Sequence, residues 1–89
     1  MVQMIVQHQV KNFEEWKQVF DSVAGDRKRN GEISSQVYRS DSDPNQVAAI
    51  FKWDSQANAN KYTQSPELKA AMERAGVTGH HSISFFSEA

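Results

Sequence analysis

Eighty-nine residues with 38% hydrophobic side chains supply one domain and one modest core. The lack of any cysteine excludes a disulfide framework, a Cys-based zinc site and a thiol nucleophile. A net charge of −1 gives no electrostatic case for nucleic acid or an anionic membrane.

The chain opens on an alternating stretch. Val2, Met4, Val6, His8 and Val10 fall on one side, and Gln3, Ile5, Gln7 and Gln9 on the other. Period two predicts a strand over residues 2–10 with one strongly apolar face. Asn12 then offers a helix N-cap, with Glu15 placed for a capping box. Phe13, Trp16, Phe20, Val23 and Arg27 follow at spacings of three and four, which makes one aromatic-rich helix stripe. Gly25 interrupts it at a propensity cost of roughly 1 kcal/mol, and Asn30-Gly31 is the stop signal. The basic run Arg27-Lys28-Arg29 reads as last-turn cations that complement the helix dipole.

A second strand is expected from Ile33 to Arg39, followed by a turn built from "SDSDPN". "QVAAIFKW" is the third strand, with Val47, Ala49, Phe51 and Trp53 on one face. Asp54-Ser55 caps a second helix to about Thr63, and Ser65-Pro66 restarts it. Leu68, Ala71, Met72 and Ala75 form its inner stripe, Gly76 ends it, and "HSISFFS" is the last strand. No internal linker or short repeat divides residues 1–89, so a single domain is expected. No apolar run approaches the ~20 residues of a membrane span. With no signal-peptide pattern at the N-terminus, a cytoplasmic protein is the expectation.

This order is βαββαβ, the ferredoxin-like α+β plan: a four-stranded antiparallel sheet with both helices on one face, in spatial order 4-1-3-2. With the first and third strands taken as parallel neighbours, His8, Asn12, Trp53, Asp54, His80 and His81 are expected to gather at one end of the sheet. RNA-recognition motifs share the plan, but their third strand needs a glycine and a different aromatic spacing from "QVAAIFKW".

Three stretches carry a more specific likeness: "VQHQVKNFEEWKQVFD", the exit "IFKWDS" from the third strand, and "SPELKAAMERAGV". Through them nearly the whole chain resembles the dimeric α/β-barrel superfamily, in its antibiotic-biosynthesis-monooxygenase-like branch. The resemblance implies a homodimer with paired sheets and a small-molecule site between sheet and helices. It also implies two function classes. One is a cofactor-independent monooxygenase or cyclase acting on an aromatic or polyketide-like substrate; the other is a non-catalytic ligand-binding or stress-associated barrel protein. Cofactor-free members carry an Asn shortly before the tryptophan of the third strand, where this chain has Ala48 and Ala49. Haem-degrading members carry a histidine on the following helix, and Ser55 to Ala75 contains none, so no cofactor is expected.

His8 shares its parity with Met4 and Val6 and so faces the helices, either as a core-edge histidine or as a general base with an ordinary pKa of ~6.5. Trp53 fits the core, or a pocket wall that orients an aromatic ring. Tyr62 lies four residues after Asn58, so the two can share a face as pocket lining. His80 and His81 are adjacent and point to opposite sides of a strand, so only one can converge with His8. The expected site is therefore His8 as catalytic base, with Trp53, Tyr62, Asn58 and His81 binding the substrate. The spacing carries no metal signature, and no metal is expected.

Overall fold

The computed structural model describes residues 1–89, the side-chain surroundings of residues 79 and 80 excepted. Its elements run β1 (Val2–Val10), α1 (Phe13–Ser22), α2 (Ala24–Arg29), β2 (Glu32–Arg39), β3 (Gln46–Trp53), α3 (Gln56–Thr63), α4 (Pro66–Arg74) and β4 (Val77–Ser87). The sheet order is β2-β3-β1-β4, and every neighbouring pair is antiparallel. This is the expected ferredoxin-like arrangement. The sheet stays open in a single chain.

The direction of β3 corrects one expectation. β1 and β3 are antiparallel, with Val2 opposite Trp53 and His8 opposite Val47. The crossover makes β1 and β2 the parallel pair, and the tight β2–β3 connection then reverses β3 between them. His8 and Trp53 therefore lie at opposite ends of the sheet, although they share its helix-covered face.

Each predicted cap is made. Asn12 Oδ1 accepts from Glu15 N at 3.0 Å, Ser55 Oγ from Asn58 N at 3.1 Å, and Ser65 Oγ from Leu68 N at 3.2 Å. Asn45, in the β2–β3 turn, accepts from Phe13 N at 3.1 Å and pins the start of α1 beside the end of β1. The first helix is broken at Val23 (φ −103°, ψ 11°), two residues before the expected interruption at Gly25. β4 begins at Val77, four residues before the expected start at His81.

The core follows strand parity. Val2, Met4, Val6, His8 and Val10 of β1 are buried, as are Val47, Ala49, Phe51 and Trp53 of β3. Around Trp53 they pack with Ala59 and Tyr62; at the other end Val10 and Val47 meet Trp16 and Ala75. Between these two groups the packing is incomplete.

Candidate functional site

A cavity of ≈ 80 Å³ occupies that gap between the sheet and all four helices. Its floor comes from β1, β3 and β4, its walls from the aromatic stripe of α1 and from the inner faces of α3 and α4. Nearly all of the lining is apolar; the polar exceptions are His8, His81, Arg27, Tyr62 and Thr63. An outer groove between α4 and β4 shares Thr63, Leu68, Met72 and His81 with the cavity, so these four side chains stand between it and solvent.

His8 reaches this wall because its even parity turns it under the helices. It is 6% exposed, and neither ring nitrogen has a hydrogen-bond partner among the described residues. Trp16 packs on it in a T-shaped arrangement, with ring centroids 5.4 Å apart and planes at 77°. His81 is its cross-strand neighbour on β4. Burial, and then the positive charge that His81 can carry, lower the His8 pKa from 6.5 to about 4. At neutral pH His8 is therefore an uncharged ring with one donor and one acceptor nitrogen, both desolvated. An unpaired buried polar atom costs free energy, so such a ring favours any ligand or water that satisfies it.

Tyr62 projects from α3 to the far end of the cavity, 5.5 Å from the Trp53 ring. Burial pushes its phenol pKa up, Arg27 opposing, so it stays a protonated donor at pH 7. His81 stands at the mouth. Trp53 is fully buried behind Tyr62 and is not part of the cavity wall; its indole N–H has no partner among the described residues. Asn58 is not in the wall either. Its amide donates to Asp54 Oδ1 at 3.0 Å, an interaction at the start of α3. His80, the alternative rim residue, lies outside the described side chains. The structure thus brings together His8, His81 and Tyr62 and leaves Trp53 and Asn58 apart from them.

Two wall residues escaped the sequence reading. Trp16, counted only as a core stripe member, is the ring that meets His8. Arg27, read as a last-turn cation, is 4% exposed and forms an ion pair with the equally buried Glu32 across the Asn30-Gly31 turn. The signal was its place in the aromatic stripe, which buries that position on any helix continuing past Phe20. Among the described residues, no group of three or more His, Cys, Asp or Glu could hold a metal ion. No helix among them is long and apolar enough to cross a membrane.

Residues 1–74 match the family model described as antibiotic biosynthesis monooxygenase. The chain belongs to that family. Among curated proteins, none matches the sequence significantly. Solved structures of family type share the fold. SnoaB, a cofactor-independent oxygenase from Streptomyces nogalater, superposes with a TM-score of 0.80 at 17% identity, over 99% of this chain and 92% of that one. An antibiotic biosynthesis monooxygenase superposes at 0.78 and 11% identity, over 100% of this chain and 99% of that one. A conserved protein from Methanosarcina mazei Go1 does so at 0.78 and 15% identity, over 99% and 92%. At these identities the likeness concerns the fold.

Proposed function

We propose that this family member is a cofactor-independent oxygenase for a small aromatic substrate with an acidic hydroxyl or enol. It works as a homodimer paired through the open sheet face. One observation carries the reading: a buried His8, without a hydrogen-bond partner among the described residues, on the wall of an apolar cavity. A phenol or enol lying against Trp16 would give its proton to the free His8 nitrogen, and the resulting anion would be the species that meets dioxygen. His81 borders the entrance, and Tyr62 offers a donor at the other end. Trp53 and Asn58 keep structural places in this reading.

The depressed pKa sets a limit on that chemistry. A base whose conjugate acid has a pKa of about 4 is weak at pH 7. The proton transfer becomes favourable only as the substrate anion forms beside the imidazolium and raises its pKa. The same feature favours a second reading, a non-catalytic barrel in which His8 only hydrogen-bonds the ligand. The cavity also has to widen before a multi-ring ligand enters. Leu68 and the flexible Met72 are the side chains placed to give way.

Oxygen uptake with anthrone as substrate separates the readings. The oxygenase reading expects turnover whose kcat/KM is flat between pH 6 and 8, because His8 is already deprotonated there. It expects His8→Gln, which keeps size and hydrogen bonding, to lose about 10²–10⁴-fold in kcat. Undiminished turnover in His8→Gln removes the base. No uptake by the native protein, with the ligand bound and recovered unchanged, establishes the non-catalytic reading instead.

A further inference from the structure

The cavity is a packing gap with a specific origin. Three buried alanines line it: Ala49 from β3, Ala71 from α4 and Ala75 at the C-cap of α4. They put short side chains where the sheet and the helices meet. Trp16 and Phe20 stack on each other at 4.9 Å, which holds the α1 wall away from the space that results. Interiors are otherwise packed to crystal-like density, so a gap of this size is a feature of the fold.

Water is a poor occupant. A volume of ≈ 80 Å³ has room for several molecules, at about 10–15 Å³ each. A buried water also needs about two to four polar partners, and the wall supplies few. The Thr63 hydroxyl donates to Asn60 O at 2.9 Å, and Arg27 is held by Glu32 and by Phe20 O at 2.8 Å. Tyr62 and His81 stand at the two ends, each also bordering an outer groove. That leaves His8 as the interior polar residue among the described residues, one ring for several waters. An aromatic ring is also too large for the resting cavity. An apolar cavity of about 150 Å³ takes benzene or xenon, and this one has about half that volume. The fitting guest is apolar and on the scale of one heavy atom or a two-atom molecule. Such a guest restores dispersion contacts that the empty wall lacks.

We propose that the cavity of the resting protein is a binding chamber for dioxygen. The use of that gas rests on the oxygenase reading; its binding does not. Dioxygen is apolar and diatomic, and it needs no hydrogen bond from the wall. Val6 pairs with Ala49, and His8 follows two residues along β1, so the chamber floor lies about 7 Å from the His8 position. A ring pressing in past Leu68 and Met72 would meet gas already concentrated beside the point where its anion forms.

The probe is dioxygen itself, whose unpaired electrons broaden nearby methyl signals, with nitrogen as the diamagnetic control. The native protein is labelled at its methionine and isoleucine methyls. Met4 is 3% exposed on the chamber floor and Ile83 also lines the chamber, whereas Met1 is 78% exposed. Gas acting from solvent broadens Met1 most. A chamber reverses the order, and broadening at Met4 and Ile83 is expected several-fold above that at Met1. Xenon, a diamagnetic apolar guest, should shift the same two methyls. Ala71→Leu, and separately Ala49→Val, put carbon where the guest sits and should abolish that shift. The proposal is overturned by broadening that is greatest at Met1, by a water cross-peak to the Met4 methyl, or by a xenon shift that survives in either folded variant. If neither variant folds, the contrast in the native protein decides alone. Preferential broadening without oxygen uptake on anthrone removes the oxygenase reading and leaves the chamber. Uptake without preferential broadening removes the chamber and leaves the oxygenase.

Discussion

At the scale of single residues, His8 links the cavity to folding stability. Its pKa is about 4 in the folded chain and ordinary, near 6.5, in the unfolded one. Between those values the unfolded state binds the extra proton, so stability rises with pH across that window. The contribution is complete above pH 6.5 and is lost as pH falls towards 4. It amounts to about 3 kcal/mol for one such group. Urea unfolding of the native protein and of His8→Gln at pH 7.5, 5.5 and 4.5 isolates this term, because carboxylates titrating in the same range are common to both. The variant should show the shallower slope; parallel slopes would mean that His8 is solvated in the folded state. Parity in β1 was enough to aim this side chain at the helices. Its lack of partners was not legible, because that depends on what α1 and α4 place around the ring.

At the scale of elements, the strands and caps were legible because each rests on neighbours in sequence. β1 and β3 begin and end where the alternation does, and Asn12, Ser55 and Ser65 cap the helices they precede. Strand direction rests on how connections cross the sheet, and there the expectation went wrong, sending Trp53 to the end of the sheet that holds His8. The α2–β2 turn shows a local signal with a long-range reason. Gly31 has φ 119°, and a Cβ built there would stand 2.5 Å from Asp54 Oδ1. Its carbonyl also accepts from Asp54 N at 2.9 Å, which ties the turn to the end of β3. Gly31→Ala should cost more than about 1 kcal/mol, from backbone strain and from displacing the carboxylate. Adding Asp54→Ala should recover the steric part, and a thermal-melt double-mutant cycle measures that coupling. Strict additivity would show that the turn relaxes without meeting Asp54. The turn also holds Arg27 and Glu32 within reach of each other, so its loss should weaken the aromatic end of the cavity as well.

At the scale of the whole molecule, the sheet has one covered face and one open face. The open face carries Ile5 and Ile50 as direct cross-strand neighbours at its centre. On the outer strands Tyr38 is 50% and Phe86 55% exposed. Tyr38 pairs with Ala48 near one end of β3, and Phe86 pairs with Gln3 near the start of β1. The apolar side chains thus run diagonally across the sheet, with Gln and Ser on either side. A chain of 89 residues has a small core, and a second copy laid on this diagonal would bury more apolar surface. A two-fold axis crossing the diagonal would place Tyr38 of one copy over Phe86 of the other, a self-complementary contact. The helices and the cavity lie on the opposite side, so pairing would leave the α4–β4 mouth open to ligand. Sedimentation at tens of micromolar, a concentration that a stable interface of affinity well below millimolar would saturate, is expected to give a dimer. Tyr38→Glu and Phe86→Glu should each give a folded monomer, with the circular dichroism spectrum unchanged, because a carboxylate on this face is harmless in water and costly between two sheets. A native protein that sediments as a monomer at that concentration would leave the diagonal as an ordinary solvated sheet face.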